Sequence, residues 1–506
     1  MSAVTRCLVR RDTYRDSVEL MRAAAEVEGL PGITRAALLM GTPANKALLA
    51  GAGLLDGAAA TAGPSDLVVA VAAADGAAAD AALASASRLL VPPAAAFPRA
   101  APPAAPRSIA EADAQLGGAN LAIISTPGAY ATAEALKALK RGLHVFLFSD
   151  NVPIAEEVEL KRLAVKKKRL VMGPDCGTAI LDGIPLGFAN VVRRGRIGLV
   201  GASGTGLQQV SCLVDRLGEG VSQVIGVGGR DLDERVGGLM MLAGIERLAA
   251  DPGTALMVLV SKPPAASVAR RVLDAARAAG KPAVVSFLGA DATSIAAAGA
   301  TPAATLEDAA RLAVSLARGE PAAAGSGGPA EGLVARARAQ AGRFAAGQRH
   351  VRGLYSGGTL CQEAGRILAA AGGEAAAGHT AVDLGAGDFT VGRPHPMIDL
   401  RLRNEHIAAA AEDPTTAVIL LDVVLGHGAH SDPAGGLIPA LERARERAAR
   451  SGRSVAVVAS VCGTPGDPQD LARQEDKLAA AGVILAPSNA GAARLAAELA
   501  GGTGAR

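Results

Sequence analysis

Residues 195–232 read GRIGLVGASGTGLQQVSCLVDRLGEGVSQVIGVGGRDL, and this stretch decides the predicted fold. Its first part, Arg196–Val200, is typical of a buried strand, Gly201–Gly206 of a tight turn, and Leu207–Leu217 of a helix with one apolar face. In such a unit, free backbone N–H groups and the positive end of the helix dipole attract an anion. The residues expected to bind phosphate or a carboxylate are Ser203, Gly204 and Thr205.

A second copy of this turn lies at residues 355–363, which read YSGGTLCQE. It repeats the Ser-Gly-x-x-Leu-x-Gln frame of Ser203–Gln209 with the same spacing. A single glycine-rich turn can serve close packing alone, so the repetition is what favours anion binding over that alternative. The residues expected to form the second anion site are Ser356, Gly357, Gly358 and Thr359.

The segments that follow the two turns are also duplicated. Residues 251–260, DPGTALMVLV, and residues 413–422, DPTTAVILLD, share one pattern in the same register, and each follows an Ala-rich stretch. Two copies of one parallel α/β unit explain this most simply. The Gly/Pro/Ser-rich composition of residues 319–332 predicts a linker between the copies.

The composition predicts several α/β domains with cores of small side chains. Of the 506 residues, 50% are apolar, only 2% are aromatic and none is tryptophan, so Ala, Val, Leu and Ile must fill the cores. The net charge of +3 shows no bias toward nucleic acid, and the basic run at 166–169 is interpreted as solvated surface.

Cysteine usage and the N-terminus predict a cytoplasmic protein that does not enter a membrane. The five scattered cysteines form no C-x-x-C pair and no disulfide framework. Charged residues near the N-terminus leave no room for the apolar core of a signal peptide, and no apolar run is long enough to span a bilayer.

The order of several motifs resembles the α subunit of succinyl-CoA synthetase. These motifs are Ser-Thr-Pro at 125–127, LVMGPDCG at 170–177, the turn at 203–205 and GVGG at 226–229. Within that acyl-CoA synthetase superfamily, the chain is similar to the FdrA-type branch, on the strings SKPP at 261–264 and GRPHPMID at 392–399. The resemblance implies an α/β fold of several parallel-sheet units, with a Rossmann-like domain and two flavodoxin-like ligase-type domains.

The predicted domain organisation combines this resemblance with the composition. The segments are an N-terminal α/β domain at 1–106, a Rossmann-like CoA-binding-type domain at 107–192, a succinyl-CoA ligase-like domain at 193–320, a linker at 321–346 and a second ligase-like domain at 347–506.

One departure concerns the histidine through which these ligases pass phosphate. In the ligases, two helix N-termini face one phosphorylated histidine, but this sequence has no histidine between His144 and His350. The corresponding region, 289–298, reads GADATSIAAA, and nothing in the sequence resembles an ATP-grasp domain. An ATP-dependent phosphohistidine ligase is therefore disfavoured, although both anion sites are retained.

The resemblance implies a subunit of a carbamoyltransferase that interconverts oxalurate plus phosphate with oxamate plus carbamoyl phosphate, in purine or allantoin breakdown. Such a transfer places charge on phosphate and on a carbonyl oxygen, which positioned N–H donors stabilise. It also implies an oligomer, two further subunits from neighbouring genes and a carbamate kinase downstream. Two alternatives stay open: an acyl-CoA synthetase or CoA-transferase subunit that binds CoA and phosphate, and a non-catalytic scaffold subunit.

The glycine-rich segment after the first unit supplies one more predicted phosphate-binding residue. Arg230 directly follows Gly228 and Gly229, and its planar guanidinium can pair with phosphate or a carboxylate. The alternative is a surface ion pair with Asp231 or Asp233.

A proline-rich turn near residue 395 supplies the predicted catalytic residues, which are Arg393, His395 and Asp399. Because prolines cannot support strand pairing, a functional role is favoured for this turn. His395 can donate a hydrogen bond to a carbonyl oxygen or shuttle a proton, and the alternative is that it caps a buried carbonyl.

No metal site is predicted. His427 and His430 follow the strand Val418–Leu421 and lie near Asp422, but a third ligand of clear spacing is missing, so polar lining is preferred. Cys176 has no histidine near it in sequence and is interpreted as a small buried residue rather than a nucleophile.

Overall fold

The computed structural model describes residues 4–15, 17–90, 106–321, 331–372, 377–390 and 394–501. Two compact units are present, one formed by the N-terminal residues and the other beginning at residue 106. Within these ranges, no helix combines the length and the apolar character that crossing a bilayer requires. Residues 91–105, at the end of the predicted N-terminal domain, and residues 322–330 of the predicted linker lie outside the described residues.

The N-terminal unit is a three-stranded sheet that buries apolar residues on both faces. Its elements are β1 (Val4–Arg10), α1 (Ser17–Glu28), β2 (Ile33–Met40), α2 (Pro43–Gly51), α3 (Gly57–Ala60), β3 (Leu67–Ala73) and α4 (Gly76–Leu89). These strands and helices agree with the predicted α/β class of the segment. However, β3 lies between β1 and β2 and is antiparallel to both, because it enters the sheet in the gap that these two strands leave.

The second compact unit begins with a small parallel sheet in the order β4-β5-β6. Its elements are α5 (Ile109–Gln115), β4 (Leu121–Ile124), α6 (Gly128–Lys140), β5 (His144–Leu147), α7 (Ile154–Lys166) and β6 (Val171–Met172). This parallel βαβ arrangement is the one that the sequence predicts for the region.

A seven-stranded sheet follows, in the order β13-β12-β11-β9-β10-β7-β8. Its elements are β7 (Thr178–Leu181), β8 (Ile184–Gly187), β9 (Arg194–Ala202), α8 (Gly204–Arg216), β10 (Val221–Gly226), α9 (Leu239–Ala250), β11 (Leu256–Ser261), α10 (Ala266–Ala278), β12 (Ala283–Phe287), α11 (Ala292–Ala297), β13 (Thr301–Pro302) and α12 (Leu306–Arg318). The hairpin of β7 and β8 joins this sheet through antiparallel pairing with β10, although its residues precede the predicted boundary at residue 193.

The last sheet has five parallel strands in the order β15-β14-β16-β17-β18. Its elements are α13 (Glu331–Ala341), β14 (His350–Tyr355), α14 (Gly358–Ala370), β15 (Thr380–Asp383), α15 (Gly387–Thr390), α16 (Arg401–Glu412), β16 (Thr416–Val424), α17 (Pro433–Arg450), β17 (Ala456–Cys462), α18 (Leu471–Ala480), β18 (Ile484–Ala486) and α19 (Asn489–Gly501). Helix α13 lies within the segment predicted as a linker.

The internal duplication is confirmed by strand order. Numbered from its first parallel strand, each of the two larger sheets runs 2-1-3-4-5, as β10-β9-β11-β12-β13 and as β15-β14-β16-β17-β18. This is the flavodoxin-like order, in which ligands bind where the strand order reverses, at the carboxyl ends of strands 1 and 3. The predicted anion-binding turns follow strand 1 of each sheet, β9 and β14.

One hydrophobic core joins the two duplicated units. It contains side chains of α8 and α12 from the first unit and of α14 and α19 from the second, with Leu207, Leu306, Leu360 and Leu495 as examples. Helix α8 begins at Gly204, three residues before the predicted start, because the Ser203 hydroxyl caps it and this offsets the low helix propensity of glycine.

Candidate functional site

The two glycine-rich turns meet at the junction of the duplicated units. Ser203 precedes α8, Thr359 lies in the first turn of α14, and their hydroxyl oxygens are 2.7 Å apart. The backbone of the second turn also lies close to the first turn, since a methyl group on Gly357 would be 2.8–2.9 Å from three side-chain atoms of Thr205. The structure therefore brings together the two sets of residues that are predicted to bind anions.

Ser203 and Ser356 use their hydroxyl groups within the protein. The Ser203 Oγ accepts the backbone N–H of Gly206 at 3.1 Å, which makes it the N-cap of α8. The equivalent Ser356 lies one residue before the N-cap of α14, and its Oγ donates to Oδ2 of Asp422 at 3.0 Å. The Ser203 hydroxyl thus caps a helix, and the Ser356 hydroxyl binds a carboxylate of the protein. Any ligand must therefore be bound chiefly by backbone N–H groups.

Asp422 occupies part of the second predicted anion site. Its carboxylate accepts the backbone N–H groups of Ser356 at 2.9 Å and of Gly357 at 2.8 Å. This corrects the expectation that these N–H groups are open to a ligand. The physical reason is that β14 and β16 are parallel neighbours, so a carboxylate on β16 reaches the turn that follows β14.

Arg403 neutralises Asp422 inside the protein. The Arg403 side chain is 2% exposed, the Asp422 side chain is fully buried, and their closest nitrogen and oxygen are 2.6 Å apart. Arg403 also donates to the carbonyl of Leu354 at 2.8 Å, and so fixes the end of β14. The sequence indicates neither this partner nor its role, because α16 carries Arg403 to the site from a distant position.

The accessible part of each anion site is the first residue of its helix. Gly204 and Gly358 are partly exposed, whereas the residues next to them are buried. A Cβ on Gly204 would contact only Thr178 Oγ1, at 3.6 Å. A Cβ on Gly358 would overlap the Asp383 carboxylate and lie 3.0 Å from the Lys262 ammonium. Because N–H groups in a first helical turn lack intrahelical partners, these two glycines are the positions that can receive a ligand.

A crevice of about 720 Å³ opens where β10 and β11 end, and it reaches α14 through Gln362. Its lining residues are Gly229, Arg230, Leu232, Asp233, Glu234, Arg235, Ser261, Lys262, Pro263, Pro264, Ala265 and Gln362. Because it is bordered by the carboxyl end of β11, which is strand 3 of its sheet, it lies where flavodoxin-like sheets bind ligands.

Charged groups that the sequence interpretation missed surround this crevice. Solvent reaches Asp175, yet the protein surrounds it closely enough that desolvation raises the pKa of Asp175 to about 6. Lys262 and Arg230 oppose this rise, and Asp150 and Asp383 add to it. The signal that could have revealed Lys262 is its place directly after the buried apolar strand β11.

Arg230 lines the crevice but binds neither of the partners that were weighed for it. It donates to the Val152 carbonyl at 2.7 Å and forms an ion pair with Glu157 at 2.9 Å. The predicted alternative, a surface pair with Asp231 or Asp233, is therefore wrong. Its side chain remains 42% exposed, so a ligand in the crevice can still reach it.

Asp231 belongs to a buried ionic cluster that holds the glycine-rich loop. The Lys161 ammonium is 2.7 Å from Glu157 and 2.8 Å from Asp231, and all three side chains are fully buried. Gly228 in the same loop has a φ of 85°, and a Cβ there would overlap the Pro174 carbonyl. Gly228 thus shapes the crevice, and the predicted role of Gly229 is consistent with its place in the lining.

His395 packs beside the second anion site as a neutral ring. A Cβ on Gly385 would lie 2.7 Å from both His395 Nε2 and the Ser356 carbonyl. Burial lowers the pKa of His395 to about 4. Its Nδ1 accepts the Met397 N–H at 3.2 Å, so the proton is assigned to Nε2. His395 can therefore donate a hydrogen bond, but such a low pKa makes it a poor proton shuttle near neutral pH.

A second predicted catalytic residue, Asp399, has a side-chain partner other than His395. Asp399 binds Arg401, with 2.6 Å between the closest charged atoms. Burial would raise the pKa of Asp399, but hydrogen bonds from Arg401 outweigh this effect and the pKa lies below its usual range. Arg393 lies outside the described residues.

The remaining positions are two histidines and Cys176, and their surroundings give little support to a metal site or a nucleophilic thiol. The His430 Nδ1 accepts the Asp432 N–H at 3.0 Å, and His427 is exposed. In the part of the chain that the structure describes, no three His, Cys, Asp or Glu side chains are grouped to hold a metal. Burial raises the pKa of Cys176 to about 12, which agrees with a structural role.

Three protein-family models match this chain. A CoA-ligase model matches residues 354–499, and a CoA-binding-domain model matches residues 192–289. The second match begins where the segment predicted as CoA-binding, 107–192, ends. A third model, described as AllF, heavy metal-associated domain, matches residues 1–101.

The N-terminal unit lacks the ligands that a heavy-metal site requires. Soft metal ions bind thiolates or imidazoles, usually several together. Residues 1–101 contain one cysteine, Cys7, and no histidine. The Cys7 thiol donates to the Leu54 carbonyl at 3.1 Å, and burial raises its pKa to about 11. The residues present therefore do not fit a heavy metal ion.

We expect the affinity of the full chain for Zn²⁺ or Cu⁺ to be unchanged in a Cys7→Ser variant, because Cys7 is protonated and residues 1–101 contain no second cysteine and no histidine. Competition with a chromophoric chelator measures this directly. Loss of one tightly bound metal ion per chain in the variant would contradict the expectation.

The similar proteins agree with the domain matches. The uncharacterized protein YahF of Escherichia coli strain K12 is 40% identical over 508 residues, covering 97% of this chain and 98% of that protein. The α subunit of succinate–CoA ligase of Methanothermobacter thermautotrophicus is 29% identical over 28% of this chain, which spans 48% of that protein. An acetyl-coenzyme A synthetase structure from Ca. Korarchaeum cryptofilum gives a TM-score of 0.33 at 17% identity, with 76% and 83% coverage, too low to support an inference. The chain therefore belongs to the same family as YahF, with an α/β fold that contains CoA-binding and CoA-ligase domains and is similar to succinyl-CoA synthetase α subunits.

Proposed function

We propose that this protein transfers an acyl group between phosphate and a second acceptor at the meeting point of α8 and α14, with the thiol of CoA as the first candidate acceptor. The contact between Ser203 and Thr359 carries the proposal, because it places two helix N-termini side by side. The crevice is close to them, since its lining residue Lys262 approaches Gly358 at the start of α14. The matches to CoA-binding and CoA-ligase models support the choice of CoA.

The chemical contribution of this geometry is electrostatic. The N–H groups of Gly204 and Gly358 and the dipoles of their helices stabilise negative charge on phosphate and on the carbonyl oxygen of the acyl group. These donors are fixed before the reaction, so little reorganisation is needed when charge develops. Asp422 and Arg403 hold the second turn in the required position.

A direct transfer, without a phosphorylated histidine, fits the residues present. The sequence has no histidine between His144 and His350. His395 lies near the second anion site, but its Nδ1 is occupied and its Nε2 carries the proton, so neither nitrogen is a nucleophile in this state.

The absence of a histidine between His144 and His350 also favours a second candidate, carbamoyl transfer between phosphate and an amide. In this reaction oxalurate and phosphate yield oxamate and carbamoyl phosphate, and no ATP site or phosphohistidine is needed. Proteins encoded beside this one are the proposed partner subunits, and a carbamate kinase is the proposed consumer of carbamoyl phosphate.

The experiment measures both transfers with the chain alone and with the neighbouring gene products. The reaction of an acyl phosphate with CoA is monitored by the thioester that forms. The reaction of oxalurate with phosphate is monitored by the carbamoyl phosphate that forms. Thioester formation supports the first candidate and carbamoyl phosphate the second. If no mixture shows either transfer and the chain still assembles with its partners, the scaffold alternative replaces both.

A Gly204→Ala variant tests whether the α8 terminus binds the substrate. We expect at least about a tenfold loss of transfer rate, because a methyl group enters the accessible part of the site. The unfolding temperature should stay the same or rise slightly, since the methyl group meets only Thr178 at 3.6 Å and alanine favours the helix. Gly51→Ala, whose methyl group would meet no atom within 4 Å, is the matched control. A wild-type rate in Gly204→Ala would contradict the proposed site.

A further inference from the structure

Within the described part of the chain, Lys262 is a crevice lysine without a close ion pair, although the carboxylates of Asp175 and Asp383 lie near enough to interact with its charge. It follows β11 directly, lines the crevice, and has its Nζ 3.0 Å from the point that a Cβ on Gly358 would occupy. It forms no hydrogen bond and no ion pair with any residue that the structure describes. Other lysines at this end of the sheet differ: Lys161 binds Glu157 and Asp231. An unpaired ammonium beside a helix N-terminus is suited to binding a phosphate.

Asp175 is a carboxylate without a hydrogen-bond donor at the same crevice. Its backbone has a φ of 54° and its N–H donates to the Ser149 carbonyl at 2.9 Å, which fix the direction of the side chain. Its Oδ2 is 3.6 Å from the Cβ position of Gly229, a lining residue. Among the described residues, no group donates a hydrogen bond to this carboxylate.

We propose that Lys262 binds the phosphate of the acyl phosphate in this crevice and that Asp175 accepts the proton of the attacking nucleophile. This assignment rests on the proposed function. It gives roles to two residues that lie within the strings SKPP and LVMGPDCG but for which the sequence predicted none.

The step balances without any further reactant. The nucleophile, a thiol S–H or an amide N–H, loses its proton to Asp175 and forms a bond to the carbonyl carbon. The bond between that carbon and the phosphate oxygen then breaks, and its electron pair leaves with inorganic phosphate beside Lys262. The proton on Asp175 returns to the departing phosphate or to solvent.

The surroundings of Asp175 suit a proton acceptor at neutral pH. The charged groups that face it are Asp150, Arg230, Lys262 and Asp383, and with desolvation they place its pKa at about 6. At pH 7 the carboxylate is ionised, so the transfer rate should rise with pH through about 6 and then level off. Because Lys262 lowers this pKa, removing its charge should move the rise to higher pH.

The test separates binding from transfer. Binding of inorganic phosphate to the full chain is measured by calorimetry for wild type, Lys262→Met, Lys262→Arg and the control Lys137→Met, an exposed lysine on α6. We expect Lys262→Met to weaken phosphate binding at least tenfold, Lys262→Arg to retain it within a few-fold, and Lys137→Met to bind like wild type. Wild-type phosphate binding in Lys262→Met, or no binding in wild type, would overturn the role of Lys262.

The second arm concerns Asp175. Asp175→Asn should keep phosphate binding but lose about 10²–10⁴-fold in transfer rate, and the rise with pH near 6 should disappear. Asp274→Asn, an exposed carboxylate on α10, is the control. A wild-type rate in Asp175→Asn would overturn the role of Asp175. Should wild type transfer no acyl group while phosphate binding still depends on Lys262, the proposed function fails and the Lys262 site stands.

Discussion

Replacing Arg403 with methionine is expected to lower the free energy of unfolding by about 3–5 kcal/mol, because the change leaves the Asp422 charge buried without its partner. The Arg403 side chain is 2% exposed and that of Asp422 is fully buried, so water cannot take the place of the guanidinium. Methionine has a similar length and no charge, and it therefore tests the ion pair more than the packing.

Calorimetric or urea-induced unfolding of the full chain measures this loss. The control is Arg450→Met, which removes an exposed pair with Glu446 at 3.7 Å and should change stability by less than about 1 kcal/mol. Adding Asp422→Asn to Arg403→Met should recover part of the loss, because the unpaired charge is then gone. Equal, small losses for Arg403→Met and Arg450→Met would show that Asp422 does not depend on Arg403.

A Gly357→Ala variant is expected to lose about 100-fold in acyl transfer, since a displacement of about 1 Å in a catalytic geometry has effects of this size. The added methyl group would lie 2.8–2.9 Å from the Cβ, Oγ1 and Cγ2 atoms of Thr205. Those atoms belong to a side chain of limited freedom, so the two helix starts must move apart. Overpacking of this kind also costs about 1–3 kcal/mol of stability.

Adding Thr205→Gly should restore part of the transfer rate of Gly357→Ala, because it removes all three contacted atoms. The rate is measured in the transfer assay that proves active, and stability by thermal unfolding. If Gly357→Ala transfers at the wild-type rate, the spacing of the two helix starts has no part in the reaction.

The elements of the site could be predicted from local sequence. The apolar run before Ser203, the glycines and the apolar face of the following helix specify β9 and α8, and the repeated frame specifies β14 and α14. The repetition also predicted that two units share one topology, which the two 2-1-3-4-5 sheets confirm. These features depend on residues close together in the chain.

The contacts that the site residues make with distant parts of the chain could not be predicted from local sequence. Whether Ser356 faces a ligand or Asp422 depends on the register of β14 against β16, which pairs residues more than 60 positions apart. The neutral state of His395 depends on burial by other elements. The alternative weighed for Arg230 was an ion pair within its own loop, but the fold places Glu157 of α7 beside it.

The shared core of the duplicated units limits how a substrate can enter. Helices α8, α12, α14 and α19 contribute to one continuous apolar cluster, so swinging the two units apart about a hinge would expose it to water at a large free-energy cost. For the proposed transfer, we therefore expect the units to stay closed and the substrate to enter through the crevice. Its mouth is formed by the short loops at 229–235 and 261–265. If the crevice binds the substrate of the proposed transfer, we expect relatives with the same core to differ in substrate through these two loops.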